Sequence, residues 1–69
     1  MKPTLKEVRE AKGVKKGAVA EAMGVSYPTL QRYEAGAEIP EQAYLAACDF
    51  LGVPENSIRA TVSLKKNLN

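Results

Sequence analysis

The stretch KGAVAEAMGVSYPTLQRY, Lys16 to Tyr33, decides the fold. Val19, Ala20 and Met23 recur at the spacing that lines up one face of a helix, which predicts a helix from about Lys16 to Met23. Gly24 ends it, because glycine adopts left-handed backbone without a Cβ clash. After Val25, Ser26 is a residue type that caps a helix start, and Pro28 is tolerated in the first turn, where an amide would have no partner. Pro28 offers no amide, so the Ser26 hydroxyl is expected to cap Thr29. Leu30 and Tyr33 then point inward, and Glu34 closes the helix ahead of Ala35-Gly36. Ala20 is small where two helices must approach closely. The expected unit is two short helices crossed through a tight glycine turn, with the front end of the second left open.

Working outward, Thr4 followed by Glu7 is a capping box, and Leu5, Val8 and Ala11 or Lys12 continue at helical spacing until Gly13. That predicts a first helix over about 5–12. On the other side, the loop Ala37-Glu38-Ile39 leads to Pro40, which opens a fourth helix. Its Tyr44, Ala47, Cys48 and Leu51 fall at i, i+3, i+4 and i+7, an amphipathic stripe. Gly52-Val53-Pro54 stops it, and Glu55 to Arg59 is expected to form a short fifth helix with Ile58 inward. Thr61-Val62-Ser63-Leu64 alternates polar and apolar, which permits a short strand but does not require one, and a frayed tail is the preferred reading. The expectation is an all-α, compact five-helix domain over 1–59, with a short extended C-terminal tail over 60–69.

Composition narrows the chemistry. The chain has 69 residues, 45% of them hydrophobic, which suits one domain with a modest core. Cys48 is the single cysteine and there is no histidine, so neither an intramolecular disulfide nor a four-ligand zinc site of the usual kind is expected. No nucleophile stands beside a base and no glycine-rich phosphate loop occurs, so no cofactor and no enzymatic activity are expected. No apolar run has the length of a leader core or a membrane span, which leads to the expectation of a cytoplasmic protein with no membrane partner.

The net charge of +2 hides a sharp division. Residues 1–34 carry seven Lys/Arg against four Asp/Glu, whereas residues 35–58 carry four acids and no base. Arg59, Lys65 and Lys66 restore a basic end. A polyanion would be attracted by the first segment and repelled by the second.

With these residues in view, LKEVREAKGVKKGAVAEAMGVSYPTLQRYEAG resembles the XRE-type, lambda-repressor-like domain of phage repressors, Cro proteins and small bacterial regulators. The spacing of Ala20, Gly24, Val25, Ser26, Leu30, Tyr33, Glu34 and Gly36 carries the likeness, which extends through CDFLGVPENSI to about residue 59. The resemblance implies a helix-turn-helix that reads double-stranded DNA, with a recognition helix over about 27–34 in the major groove. It implies that Arg9 and Glu34 form a partly buried structural ion pair, the alternative being a solvated surface pair. It places Tyr27, Pro28, Gln31 and Arg32 against base edges, and Lys15, Lys16 and Ser26 beside phosphates; each could instead be an ordinary exposed residue.

Three features depart from the family pattern. Lys15-Lys16-Gly17 stands where Ser or Thr before Gln is usual, removing a good cap and offering two ammonium groups instead. The loop Ala37-Glu38-Ile39-Pro40-Glu41 is acidic where phage repressors are often basic, which weakens phosphate neutralisation. Pro28 occupies a place where a polar base reader is common.

The functional expectation is a sequence-specific transcriptional regulator, a phage- or prophage-type repressor or Cro-like protein in a bacterial host cell. It is expected to act as a homodimer on a palindromic operator, with Phe50, Val53, Ile58, Val62 and Leu64 at the dimer interface. The alternative is an antirepressor or modulator that binds a partner repressor protein through the same scaffold and its acidic 35–58 segment.

Overall fold

The capping box expected at the N-terminus forms: Glu7 N–H donates to Thr4 Oγ1 at 3.2 Å, and Thr4 N–H donates to Glu7 Oε1 at 2.8 Å. It opens α1, Leu5–Ala11, in a computed structural model that describes residues 1–63. Next come α2, Lys16–Met23, and α3, Tyr27–Glu34, joined through Gly24 at φ +73°. A two-residue strand β1, Ile39–Pro40, leads into α4, Glu41–Leu51. A second short strand, β2, Val62–Ser63, ends the described chain.

The core lies where α2 meets α3 and α4. Val19, Ala20 and Met23 of α2 face Leu30 of α3 and the α4 stripe of Tyr44, Ala47, Cys48 and Leu51, all of them buried. Leu5 and Val8 close one side and Ile58 another. The positions on α1 to α4 are those that helical spacing marks, so apolar periodicity and packing agree there, whereas Ile58 is buried from non-helical backbone. Among the described residues no helix is long and apolar enough to cross a membrane.

The C-terminal part corrects the expected architecture. Glu55–Arg59 is not a helix, and the described residues form four helices rather than five. Asn56 sits at φ +68°, a left-handed conformation that asparagine tolerates and that interrupts any helix. Ser57 N–H and its hydroxyl both turn back to the Pro54 carbonyl, closing a turn. The Ile58 carbonyl accepts from the buried Tyr44 hydroxyl at 2.9 Å, which ties this segment to α4. Five residues are in any case too few to offset the cost of helix nucleation.

Beyond this turn the chain is extended and paired. Arg59 N–H donates to Pro3 O at 2.7 Å, and Ile39 N–H donates to Thr61 O at 2.8 Å. β2 runs parallel to β1 in the register Ile39↔Val62 and Pro40↔Ser63. Of the two readings left open by the alternating Thr61–Leu64 stretch, the strand forms over Val62–Ser63. Pro40 is therefore a strand residue and the N-cap of α4 rather than its first turn. Lacking an amide, it fits the end of a ladder without losing a bond.

Tyr44 and Cys48 make this core sensitive to alkali. Burial pushes both the phenol and the thiol above their ordinary values. The unfolded chain therefore ionises first, and stability that is complete below about pH 9 drains away as pH rises through the folded values. The thermal midpoint should stay level from neutrality to about pH 9, as far as these groups act, and then fall. Tyr44→Phe should make the fall shallower; an unchanged slope in that variant would clear Tyr44 of the role.

Candidate nucleic-acid interface

The front of α3 is built by its cap. Ser26 Oγ accepts from Thr29 N–H at 3.3 Å and donates to Thr29 Oγ1 at 2.9 Å, so the hydroxyl proton is engaged within the turn. The expected cap is present, and Pro28 occupies the first turn. Thr29 shares this cap through both its amide and its hydroxyl. Its part follows directly once Pro28 is seen to lack an amide.

Burial divides α3 cleanly. Leu30 is fully enclosed, Tyr33 is half-buried against the core, and Tyr27, Pro28, Gln31 and Arg32 are exposed. These four occupy i, i+1, i+4 and i+5, a single outward strip on a helix. Tyr27 retains 49% of its surface, high for an aromatic residue beside a core. The strip combines an aromatic face, an amide and a guanidinium, groups that can meet a methyl, pair with adenine or donate twice to guanine.

A second cluster holds this helix in place. Arg9 Nε donates to Glu34 Oε2 at 2.7 Å, and its Nη2 donates to Oε1 at 3.2 Å, a two-pronged contact between α1 and the end of α3. Arg9 Nη1 also donates to the Val14 carbonyl at 3.2 Å, tying in the α1–α2 turn. The side chains of Arg9 and Glu34 are only 9% and 4% exposed, so this pair is structural rather than solvated. The hydrogen bond to Glu34 raises the guanidinium pKa, and Arg9 stays charged at any working pH.

The two lysines at the start of α2 part company. Lys15 is the N-cap residue, exposed, and makes no ion pair among the described residues. Lys16 folds inward: its Nζ lies 3.8 Å from Glu34 Oε1 and 5.7 Å from the centre of the Tyr27 ring. Arg9, Glu34, Lys16 and Tyr27 therefore form one continuous cluster from α1 to the front of α3. Sequence reasoning placed all four residues but not this junction. The 17 residues between Lys16 and Glu34 offer no local periodicity that would reveal it.

The residues expected at a dimer surface separate as well. Phe50 is 46% exposed near the end of α4, and Val53 and Val62 are half-buried against the core. Ile58 is a correction: at 3% exposure it belongs to the core and has no surface to give a partner. Its inward position follows from the Tyr44 contact that holds its carbonyl. Leu64 lies outside the described residues. The four acids of the middle segment, Glu38, Glu41, Asp49 and Glu55, are all exposed. Among the described residues no group of three or more potential metal ligands comes together.

Two short helices crossed through a left-handed glycine, the second with a capped front and an outward polar strip, define a helix-turn-helix domain of the DNA-binding class. A family model described as "Helix-turn-helix domain" matches residues 4–60, and the chain belongs to that family, which includes XRE-like domains. Neither a curated protein nor a solved structure matches the chain.

Proposed function

We propose that the protein is a sequence-specific transcriptional regulator of the phage or prophage repressor and Cro-like kind, acting as a homodimer on a palindromic operator in the cytoplasm of a bacterial host. The observation that carries this reading is the exposed strip of Tyr27, Pro28, Gln31 and Arg32 on a helix whose opposite side is fully enclosed at Leu30. Such a helix reaches base edges without moving the core. Lys15 and the amides at the start of α2 supply backbone contacts, in keeping with the basic character of residues 1–34. A single domain of this size offers few contacts, so two copies with recognition helices about 34 Å apart give a plausible affinity. Phe50 is the side chain best placed to be covered in that dimer. In this reading the protein needs no cofactor and performs no catalysis.

Selection from randomised duplex DNA tests the proposal. Enrichment of a two-fold symmetric site is expected; a single half-site would argue for a monomeric reader. Arg32→Ala should weaken the selected site by about 1–3 kcal/mol, roughly five- to 150-fold, and relax the preference at one base pair. Equal weakening on every sequence would reduce Arg32 to a phosphate contact.

A second reading rests on a different observation. The four exposed acids of segment 35–58 have no basic residue among them in sequence, which suits docking on a basic protein surface. In that reading the chain is an antirepressor or modulator of a partner repressor. Stoichiometric capture of another regulator, with no DNA retained, would favour it.

A further inference from the structure

We infer that Lys16 is a positioning residue for Tyr27, fixing the ring with which the recognition helix meets a base, and that Lys15 alone of the pair serves phosphate. The inference rests on the DNA-binding reading above and deepens it.

The argument starts at Glu34. Its carboxylate is held from α1 by both prongs of Arg9, at 2.7 and 3.2 Å, so it cannot swing with the surface. Lys16 Nζ reaches the Oε1 of this fixed group at 3.8 Å, and the lysine side chain is only 25% exposed. A lysine that serves as a phosphate clamp keeps its head in solvent and its stem free to follow the backbone. Lys16 does the reverse, since three-quarters of its side chain is covered and its ammonium is drawn to Glu34.

The same ammonium stands over the Tyr27 ring, 5.7 Å from the centroid, within the distance at which a cation is drawn to an aromatic face. Tyr27 is the first residue of α3 and has little else to hold it, with 49% of its surface exposed. Lys16 occupies one face of the ring, and about half of the tyrosine's surface remains open to solvent. At an exposed site such a contact biases ring position by about two- to fivefold, enough to alter which base is preferred. Orientation therefore passes from Arg9 to Glu34, from Glu34 to Lys16, and from Lys16 to the reading surface. Lys15, exposed and unpaired among the described residues, supplies the mobile charge that a phosphate needs.

The test compares Lys16→Met, which keeps the stem and removes the charge, with Lys15→Met and Lys16→Arg. Arg9 still holds Glu34 in all three, so the fold is retained. Lys16→Met is expected to change base preference at one pair while leaving the slope of log affinity against log salt as in the parent. Lys15→Met is expected to reduce that slope by about 0.9, the value of one lost phosphate contact, and to leave preference intact. Lys16→Arg should restore preference, because a guanidinium stacks on an aromatic face as an ammonium does. In the free protein, Lys16→Met should shift the ring-proton resonances of Tyr27, a readout that needs no DNA.

Uniform loss of affinity with a reduced slope in Lys16→Met would make Lys16 a phosphate ligand and overturn the inference alone. Unmoved Tyr27 resonances would overturn it as well. A parent protein that enriches no sequence at all would overturn the DNA-binding reading, and this inference with it.

Discussion

Arg9→Met is expected to lower the thermal midpoint by at least about 12 °C, because it strands a buried carboxylate. Removing one partner of a buried ion pair costs roughly 3–5 kcal/mol, and a domain of this length shifts by about 4–8 °C per kcal/mol. Here the stranded group is Glu34, whose side chain is 4% exposed and would retain only Lys16 at 3.8 Å. The Val14 carbonyl would lose a donor too. A domain of this size has a total stability on the order of 3–10 kcal/mol, so the variant should be largely unfolded at 37 °C or close to it. Replacing both partners, as Arg9→Met with Glu34→Leu, should recover most of the loss, since an apolar pair needs no compensating charge. Circular-dichroism melts at one fixed protein concentration would measure this, the concentration held constant because a dimer couples to folding. A loss below about 1 kcal/mol would place the pair among solvated surface contacts instead.

The consequences for function follow from where this pair sits. Arg9 belongs to α1 and Glu34 is the last residue of α3, so the contact sets the tilt of the recognition helix against the body. Weakening it should reduce DNA affinity in proportion to lost folding and, because Glu34 no longer holds Lys16 in place, should also relax preference at the base pair that Tyr27 meets. Lys16 differs because it acts beyond Glu34, on the ring of Tyr27 alone.

Local chemistry made much of the fold legible. Thr4 and Glu7 announced a helix start, Gly24 a stop and Ser26 a cap, and each depends on residues within one turn of one another. The stripe of Tyr44, Ala47, Cys48 and Leu51 was equally visible, because burial on one helix face leaves a period. The outward strip of α3 could be read for the same reason: once Leu30 is placed inside, Gln31 and Arg32 have to leave on the other side.

The misread parts depend on contacts distant in the chain. Glu55–Arg59 has residues that permit a helix, but Asn56 turns left-handed, Ser57 closes a turn on Pro54, and Ile58 and Arg59 are held by Tyr44 and Pro3 from distant parts of the chain. The β1–β2 ladder joins residues 23 apart over two residues each, too short to carry an alternating pattern. Ile58 was assigned both to the interior and to an interface, since a helical wheel cannot decide how much of a side chain its neighbours cover. Lys16 looked like a free cation because its charge was visible in sequence and its tether, Glu34, was not adjacent.

Leu30→Ala is the second large effect, and it bears directly on the reading surface. Leu30 is fully enclosed and is the one fully buried residue of α3. Truncating an enclosed leucine removes transfer energy and leaves a cavity, at a cost of about 2–5 kcal/mol. The lack of any remaining exposure at Leu30 argues for the upper half of that range. An eight-residue helix is not stable alone in water, so its order comes from this anchor, the partly buried Tyr33 and the Glu34 ion pair. Losing the anchor should therefore lower the thermal midpoint by about 12 °C or more and should weaken DNA binding as the recognition helix frays. Leu30→Met, of similar volume, should cost less than about 1.5 kcal/mol and keep binding. Arg32→Ala provides the opposite control, weakening the selected site with the midpoint unchanged, since its side chain lies on the exposed strip. If Leu30→Ala melted within a few degrees of the parent, the anchor would have to lie elsewhere. The separation of anchor from reader along α3, and with it the proposed function, would then fail.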